Sequence, residues 1–393
     1  MRVLQINVTY GFGSTGKLVK SIHELLLQNG DESMVASGRH HDKQDPNLYP
    51  IGSSTDVMLH GIKSRVLDRH GFGSKKATLE FIKDIHLDSF DIIHLHNIHG
   101  YYINIEVLMN ALKKIDKPII WTLHDAWAYT GHCAYYDMVS CEKWKTGCHH
   151  CPQKHTYPSS LLIDQSKRNY SDKKMLFSHL KNVTLVTPSE WLKNEVSHSF
   201  LSHYRAVKIT NGIELSRFKT QDSPINKRFT VLAVANYWED RKGLDSVLKL
   251  SEILPEDMDL VVVGQLQKGI KLPERIQWIP RTNNENDLIT LYKNADCFIN
   301  PTVDDNLPTT SIEAIAAGTP VITYDTGGSG EIIDSNTGIL VKKYDVQGLL
   351  NAIMTVKEKT KKHYEPYCIK RSQIFNHEKM VESYIKLYKE VVK

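Results

Sequence analysis

"VLQINVTYGFGSTGKLVKSIHELLLQNGDESMVAS" (residues 3–37) decides the fold. An apolar run, VLQIN at 3–7, passes through a glycine-rich turn into a stretch, 18–30, whose apolar residues recur with a helical period. A second apolar run, SMVAS at 33–37, follows at once. Strand, turn, helix, strand is the repeating unit of a parallel sheet, because parallel neighbours need a long crossover between them. The alternation continues through DIIHLHN (91–97), IEVLMNALKKI (105–115), PIIWTLHD (118–125) and VTLVTPS (183–189). It restarts at FTVLAVA (229–235) and runs through MDLVVVG (258–264), IQWIP (276–280), DCFINP (296–301) and PVITYD (320–325).

The fold class is therefore α/β, with two doubly wound domains in tandem. The first covers 1–210 and the second 211–372; the seam lies in KITNGIELSRFKTQDSPINKR (208–228), where an Asn-Gly turn meets polar chain. In the final segment, 373–393, Met380, Tyr384, Ile385, Tyr388 and Val391 form a helical stripe expected to pack back on the body. Ligands of such sheets sit beyond the carboxyl ends of the strands, so two facing domains make one crevice.

Bulk properties narrow the function. A chain of 393 residues, 41% hydrophobic and 24% charged, reads as soluble and globular. A net charge of +4 is too small to indicate nucleic acid, and no run reaches the roughly 20 apolar residues of a membrane span. The start, MRVLQINVTYGFG, lacks the apolar stretch of a secretory signal, so the cytoplasm, including the inner face of the membrane, is the expected location.

Gly11, Gly13 and Gly16 spell the dinucleotide fingerprint, while Gly11 to Lys17 nearly spell a triphosphatase loop. The triphosphatase reading fails, since Leu18 has no hydroxyl for magnesium. The dinucleotide reading finds no acid for a ribose at the end of SMVAS; Arg39 favours only a 2′-phosphate, which keeps an NADP-dependent oxidoreductase as an alternative. The same glycines also serve as a tight turn leading into a helix whose first amides favour an anion.

The segment NPTVDDNLPTTSIEAIAAGTPVITYDTGGSGEIID (300–334) is more specific. Asp305 and Glu313 flank a loop-to-helix junction, and Thr310 to Glu313 reads as a T-x-x-E capping box that starts the helix near Thr310. Glu313, in the first turn, can accept hydrogen bonds from a ribose, or simply cap the helix. Asp305 can meet sugar hydroxyls, and the intervening amides can hold a diphosphate. Arg241 and Lys242, before Gly243, can neutralise that diphosphate as it leaves.

These motifs, with RKGLD, KITNGIELSRF, TPSEWL and WTLHDAW, resemble the retaining nucleotide-sugar glycosyltransferases of family 4, which have the GT-B fold. The likeness covers most of the chain in the family's order. HLHNIHGYYINIEVL and the cysteine segment look like a bacterial subgroup building exopolysaccharide, capsule or lipopolysaccharide. The resemblance implies that Glu313 binds the donor ribose and that Asp305 faces the donor sugar, where the family more often has Glu. It implies that Leu307, Pro308 and Thr309 present amides to the diphosphate and that Lys242 is its main cation. By the same likeness His124 contacts the donor sugar, and the loop containing Gly13, Ser14 and Lys17 approaches phosphate and acceptor. Asn236 stands where the family usually has Arg, with Arg241 as the candidate replacement. Such transfer needs no catalytic metal, and the partners implied are a UDP- or GDP-sugar and a glycan or lipid-linked acceptor. A non-catalytic sugar-nucleotide-binding protein remains a further alternative.

His94 and His96 share one side of a strand, with His99 just past it. His96, Asn97 and His99 are expected to line the acceptor side. Cys133, Cys141, Cys148 and Cys151 lie in a segment, 131–154, expected to have little core of its own, where structural zinc competes with free or paired thiols. Lys63, Arg65, Arg69, Lys75 and Lys76 surround Gly71-Phe72-Gly73, either as a solvated loop or as a peripheral contact for anionic headgroups.

Overall fold

The computed structural model describes residues 1–39, 45–219 and 228–392. The chain divides into two compact units, Met1–Ile209 with Val381–Lys393, and Thr210–Met380. Of the expected linker, residues 220–227 lie outside the described residues.

The first unit is built on seven strands: β1 (Arg2–Thr9), β2 (Glu32–Arg39), β3 (Leu48–Pro50), β4 (Ile92–Leu95), β5 (Ile119–Thr122), β6 (Val183–Thr187) and β7 (Arg205–Lys208). They lie in the order β3-β2-β1-β4-β5-β6-β7, every pair parallel. Helices on both faces explain why β4, β5 and β6 are buried along their whole length and read as continuous apolar runs. Strand order reverses direction between β1 and β4, so the chain leaves these two neighbours towards opposite faces and a gap opens beyond their carboxyl ends.

The second unit repeats the plan. Strands β8 (Phe229–Trp238), β9 (Met258–Leu266), β10 (Ile276–Ile279), β11 (Cys297–Asn300), β12 (Val321–Tyr324) and β13 (Gly338–Val341) lie in the order β10-β9-β8-β11-β12-β13. Its reversal falls between β8 and β11. A register shift between Val234 and Tyr237 irregularises the end of β8 there.

The last helix, His377–Val391, has its residues from Val381 onward in the first unit. Tyr384 and Tyr388, four apart, point the same way, and both are buried. The Tyr388 hydroxyl lies 2.6 Å from His94 Nδ1, while Tyr384 OH and His94 Nε2 both reach Thr122 Oγ1.

The expected capping box does not form. The helix begins at Thr309, behind Pro308, without a side-chain cap, and has no acid in its first turn. Proline is preset for this boundary, so the start moves ahead of Thr310 and Glu313 falls in the second turn. Among the described residues no helix is long and apolar enough to cross a membrane.

Candidate active site

In the second unit the reversal point gathers two loops. After β8 comes the short turn Asp240–Lys242, closed by Gly243 at φ +77°, where a Cβ would lie 2.0 Å from the Pro301 carbonyl oxygen. Only glycine permits that approach. The Arg241 carbonyl accepts hydrogen bonds from Val303 N–H (2.8 Å) and Thr302 Oγ1 (3.0 Å), tying this turn to the loop after β11. That loop is braced from below by Gly328 N–H to the Asn306 carbonyl (2.9 Å) and Thr326 Oγ1 to the Val303 carbonyl (2.9 Å).

The bracing brings Lys242 Nζ to 2.5 Å and Arg241 Nη1 to 3.5 Å from Asp305 Oδ2. Burial alone would raise the Asp305 pKa, but Lys242 and then Arg241 outweigh it and hold the carboxyl below its ordinary range. Arg241 also binds Glu239 (2.6 Å) and the Asp304 carbonyl (3.2 Å). Leu307 and Pro308 are buried, and Thr309 opens the helix, whose first amides carry partial positive charge. Glu313 Oε2 accepts a hydrogen bond of 3.0 Å from the buried Tyr292 hydroxyl. Tyr292 carries no sequence signal, since nothing in its spacing links it to Glu313. Asn236 is exposed near the end of β8.

The first unit forms its own cluster beyond β1, β4 and β5. Gly11 N–H bonds the Gly16 carbonyl (2.9 Å), and the helix Gly13–Gln28 begins without a side-chain cap. Gly13, Ser14 and Lys17 are exposed, whereas a Cβ on Gly16 would meet Thr9 Oγ1 at 2.7 Å, so that glycine serves helix-on-strand packing. Arg39 donates to the Gly100 carbonyl (2.7 Å), an internal contact. His96 Nδ1 and His124 Nε2 lie 3.4 Å apart with rings near parallel. Burial pushes His124 down to about 4 and His96 well below its ordinary value, so both are neutral imidazoles at pH 7. His99 Nε2 is 3.0 Å from Asp125 Oδ2, and His99 Nδ1 is 3.0 Å from Tyr157 OH. The Asn97 N–H bonds Asn7 Oδ1 (3.2 Å), fixing the turn after β4. Asp125 lies inside the quoted WTLHDAW motif; Tyr157, beyond the cysteine segment, has no such signal.

The cysteine segment has more core than expected. Trp144 is buried with ring centroids 5.1 Å from both Tyr129 and Tyr136, and Lys173 Nζ donates to the Trp127 and Thr130 carbonyls from below. Cys148 Sγ accepts Gly131 N–H at 3.2 Å. Among the described residues no group of three or more His, Cys, Asp or Glu side chains is arranged to hold a metal ion. The basic segment is helical at both ends: Lys63 and Arg65 lie on the helix Ser54–Leu67, and Lys75 and Lys76 open the helix Lys75–Ile85. Arg69 stacks on Phe72 and pairs with Asp172 (2.7 Å), so it belongs to the fold.

The fold, with this pair of reversal points, defines a class. Solved structures that share it along nearly their whole length include sucrose-phosphate synthase from Thermosynechococcus elongatus (TM-score 0.69, 16% identity, 100% of this chain and 99% of that one). Another is Anabaena HepE in complex with UDP-glucose (TM-score 0.67, 14% identity, 99% and 100%). Residues 216–372 match the family model for glycosyl transferases group 1. The chain thus has the GT-B fold, and its second unit carries a segment similar to the glycosyl transferases group 1. Among curated relatives, the putative colanic acid biosynthesis glycosyl transferase WcaC of Escherichia coli is 25% identical over 381 residues, 89% of each chain. These likenesses do not favour the oxidoreductase alternative.

Proposed function

We propose that this glycosyltransferase moves a sugar from a nucleoside-diphosphate sugar to a glycan or lipid-linked acceptor, with retention at the anomeric carbon and without a catalytic metal. The observation that carries the reading is the Lys242–Asp305–Arg241 cluster, joined to the first amides of the helix at Thr309. Relatives named for colanic acid, capsular and teichuronic acid synthesis support a role in polysaccharide biosynthesis. A neighbour that binds UDP-glucose supports the donor class.

In this reading Lys242 and Arg241 turn to the diphosphate, the amides from Leu307 to Thr309 hold its oxygens, and Glu313 binds the ribose. Asp305 is the sugar-facing carboxylate. The bond from the anomeric carbon to the phosphate oxygen breaks as charge builds on the diphosphate, which the cations stabilise. The acceptor oxygen then attacks from the face just vacated, and its proton passes to the departing phosphate oxygen. His124 contacts the donor sugar, while His96, Asn97, His99 and the Gly13–Lys17 loop serve the acceptor side. Screening nucleotide sugars for transfer and hydrolysis, with the nucleotide product identified by mass, tests this. An absence of any nucleotide release with every donor and acceptor tried overturns it in favour of a non-catalytic binder.

A further inference from the structure

A parallel strand covered on both faces is built mainly from apolar side chains, yet β1 buries Gln5 completely at its centre. The Gln5 amide lies between two partners. Its Nε2 donates to the Val19 carbonyl of the helix Gly13–Gln28 (3.2 Å), and its Oε1 lies 3.3 Å from His96 Nε2. A carbonyl only accepts, so the amide nitrogen turns to Val19 and the amide oxygen turns to His96. His96 Nε2 is thereby the protonated ring nitrogen.

Burial keeps His96 and His124 neutral, so each ring carries one proton and one lone pair. With its proton on Nε2, His96 has its lone pair on Nδ1, and the atom facing it at 3.4 Å is His124 Nε2. The ring centroids are 5.7 Å apart and the planes differ by 13°. That separation is the nitrogen–nitrogen distance plus one ring radius at each end, so both nitrogens lie on the line between the rings. The rings therefore meet edge to edge, in the geometry of an N–H···N hydrogen bond. His124 Nε2 is the donor, which leaves the lone pair of His124 on Nδ1.

The opposite set of protons is penalised. A proton on His96 Nδ1 would put a bare Nε2 against Gln5 Oε1, two buried lone pairs face to face. Rotating the amide to relieve them turns its oxygen on the Val19 carbonyl instead. His96 is also held in place, since its backbone N–H donates to the Ile6 carbonyl (2.9 Å) and the His94 ring lies against its own, with centroids 3.8 Å apart. Gln5 and His96 are buried, while His124 is half-buried at the end of this relay.

We propose that Gln5 and His96 are positioning residues that hold His124 as the Nε2–H tautomer, so that its Nδ1 accepts a hydrogen bond from a sugar hydroxyl and turns away any sugar oxygen that lacks a proton. The role in transfer rests on the proposed contact of His124 with the donor sugar; the tautomer itself does not. The test reads the protons directly, in proton–nitrogen correlation spectra of the full chain carrying isotope-labelled histidine at neutral pH. His96 and His124, identified by the signals lost in His96→Gln and His124→Gln, should each be protonated at Nε2 and bare at Nδ1. Gln5→Lys sets a donor before His96 and should reverse the relay, moving the His124 proton to Nδ1; Gln5→Met offers neither group and should leave a mixture. Turnover of the donor found by the nucleotide-sugar screen should follow the fraction of His124 left as the Nε2–H form, falling about tenfold or more in Gln5→Lys and less in Gln5→Met. A proton on His124 Nδ1 in the unaltered chain, or an unmoved tautomer in whichever Gln5 variants melt as folded proteins, overturns the proposal. So does turnover that stays level while the tautomer changes. Release of no nucleotide from any donor defeats the transfer reading instead, and the spectra still decide whether Gln5 sets the tautomer.

Discussion

Lys242 Nζ sits 2.5 Å from Asp305 Oδ2 across two loops that leave neighbouring strands. The two side chains are 63 residues apart in sequence and hold each other. In the proposed reaction, a diphosphate must compete with that carboxylate for the ammonium group. Asp305 then sets how readily the cation is released, besides facing the sugar.

Lys242→Ala should lower turnover by about 10²–10³, the cost of removing one preorganised donor to developing charge, while the chain stays folded. Asp305→Asn should weaken the grip on Lys242 and lower turnover without abolishing nucleotide binding. Steady-state kinetics with the identified donor checks both, and near-normal turnover of Lys242→Ala removes it from the proposed role.

Glu313 can be separated from its partner Tyr292. Glu313→Ala leaves the buried Tyr292 hydroxyl without its acceptor, a loss of about 1–3 kcal/mol in stability. Glu313→Gln retains an oxygen for that hydroxyl and should melt close to wild type, yet bind nucleotide more weakly because a charged acceptor for the ribose is gone. Calorimetric titration with UDP and GDP, beside melting curves, distinguishes the two effects; unaltered affinity in both variants excludes the ribose role.

Acid should unfold the first unit early. Burial pushes His60 and His124 down to about 4 and lowers His23, His70, His94 and His96 as well. Between the ordinary value of 6.5 and those lowered values the unfolded chain binds more protons, so stability is lost as pH falls through that window. The slope is at most about 1.4 kcal/mol per pH unit for each histidine kept neutral. Lys173, held by burial at about 7 rather than 10.5, acts with the same sign between those values. Melting midpoints measured from pH 8 to pH 4.5 should therefore drop steeply below pH 6.5; a flat profile contradicts the burial of these imidazoles.

The structural-zinc proposal for Cys133, Cys141, Cys148 and Cys151 expects about one equivalent of zinc per purified chain. Trp144, Tyr129 and Tyr136 already give that segment a packed centre, so chelation should loosen it without unfolding the whole unit. Less than about half an equivalent by elemental analysis ends the proposal and leaves four thiols held by packing.

Much of this was legible before any coordinates. Parallel strands buried on both faces leave near-continuous apolar runs, and IIHL, IIWT and VTLVT read that way at once. Lys242, Arg241 and Asp305 stood out because charged residues beside glycine and proline mark loops at strand ends. Their mutual bond was hidden, because it depends on β8 and β11 lying side by side. The T-x-x-E pattern at Thr310 misleads for a local reason, since Pro308 takes the boundary position itself. The helix Ser54–Leu67 gives periodicity nothing to read, because it buries His60 and Ser64 and leaves Met58, Leu59 and Ile62 exposed.

Because Tyr384 and Tyr388 close over Thr122 and His94, the amino-terminal sheet acquires part of its covering from residues 262 and 294 positions further along the chain. During translation that sheet must wait, with those polar groups uncovered, while the whole glycosyl transferase domain emerges. A nascent chain stalled before Val381 is thus a natural client for chaperones, and a break there damages strands that lie far upstream of the cut.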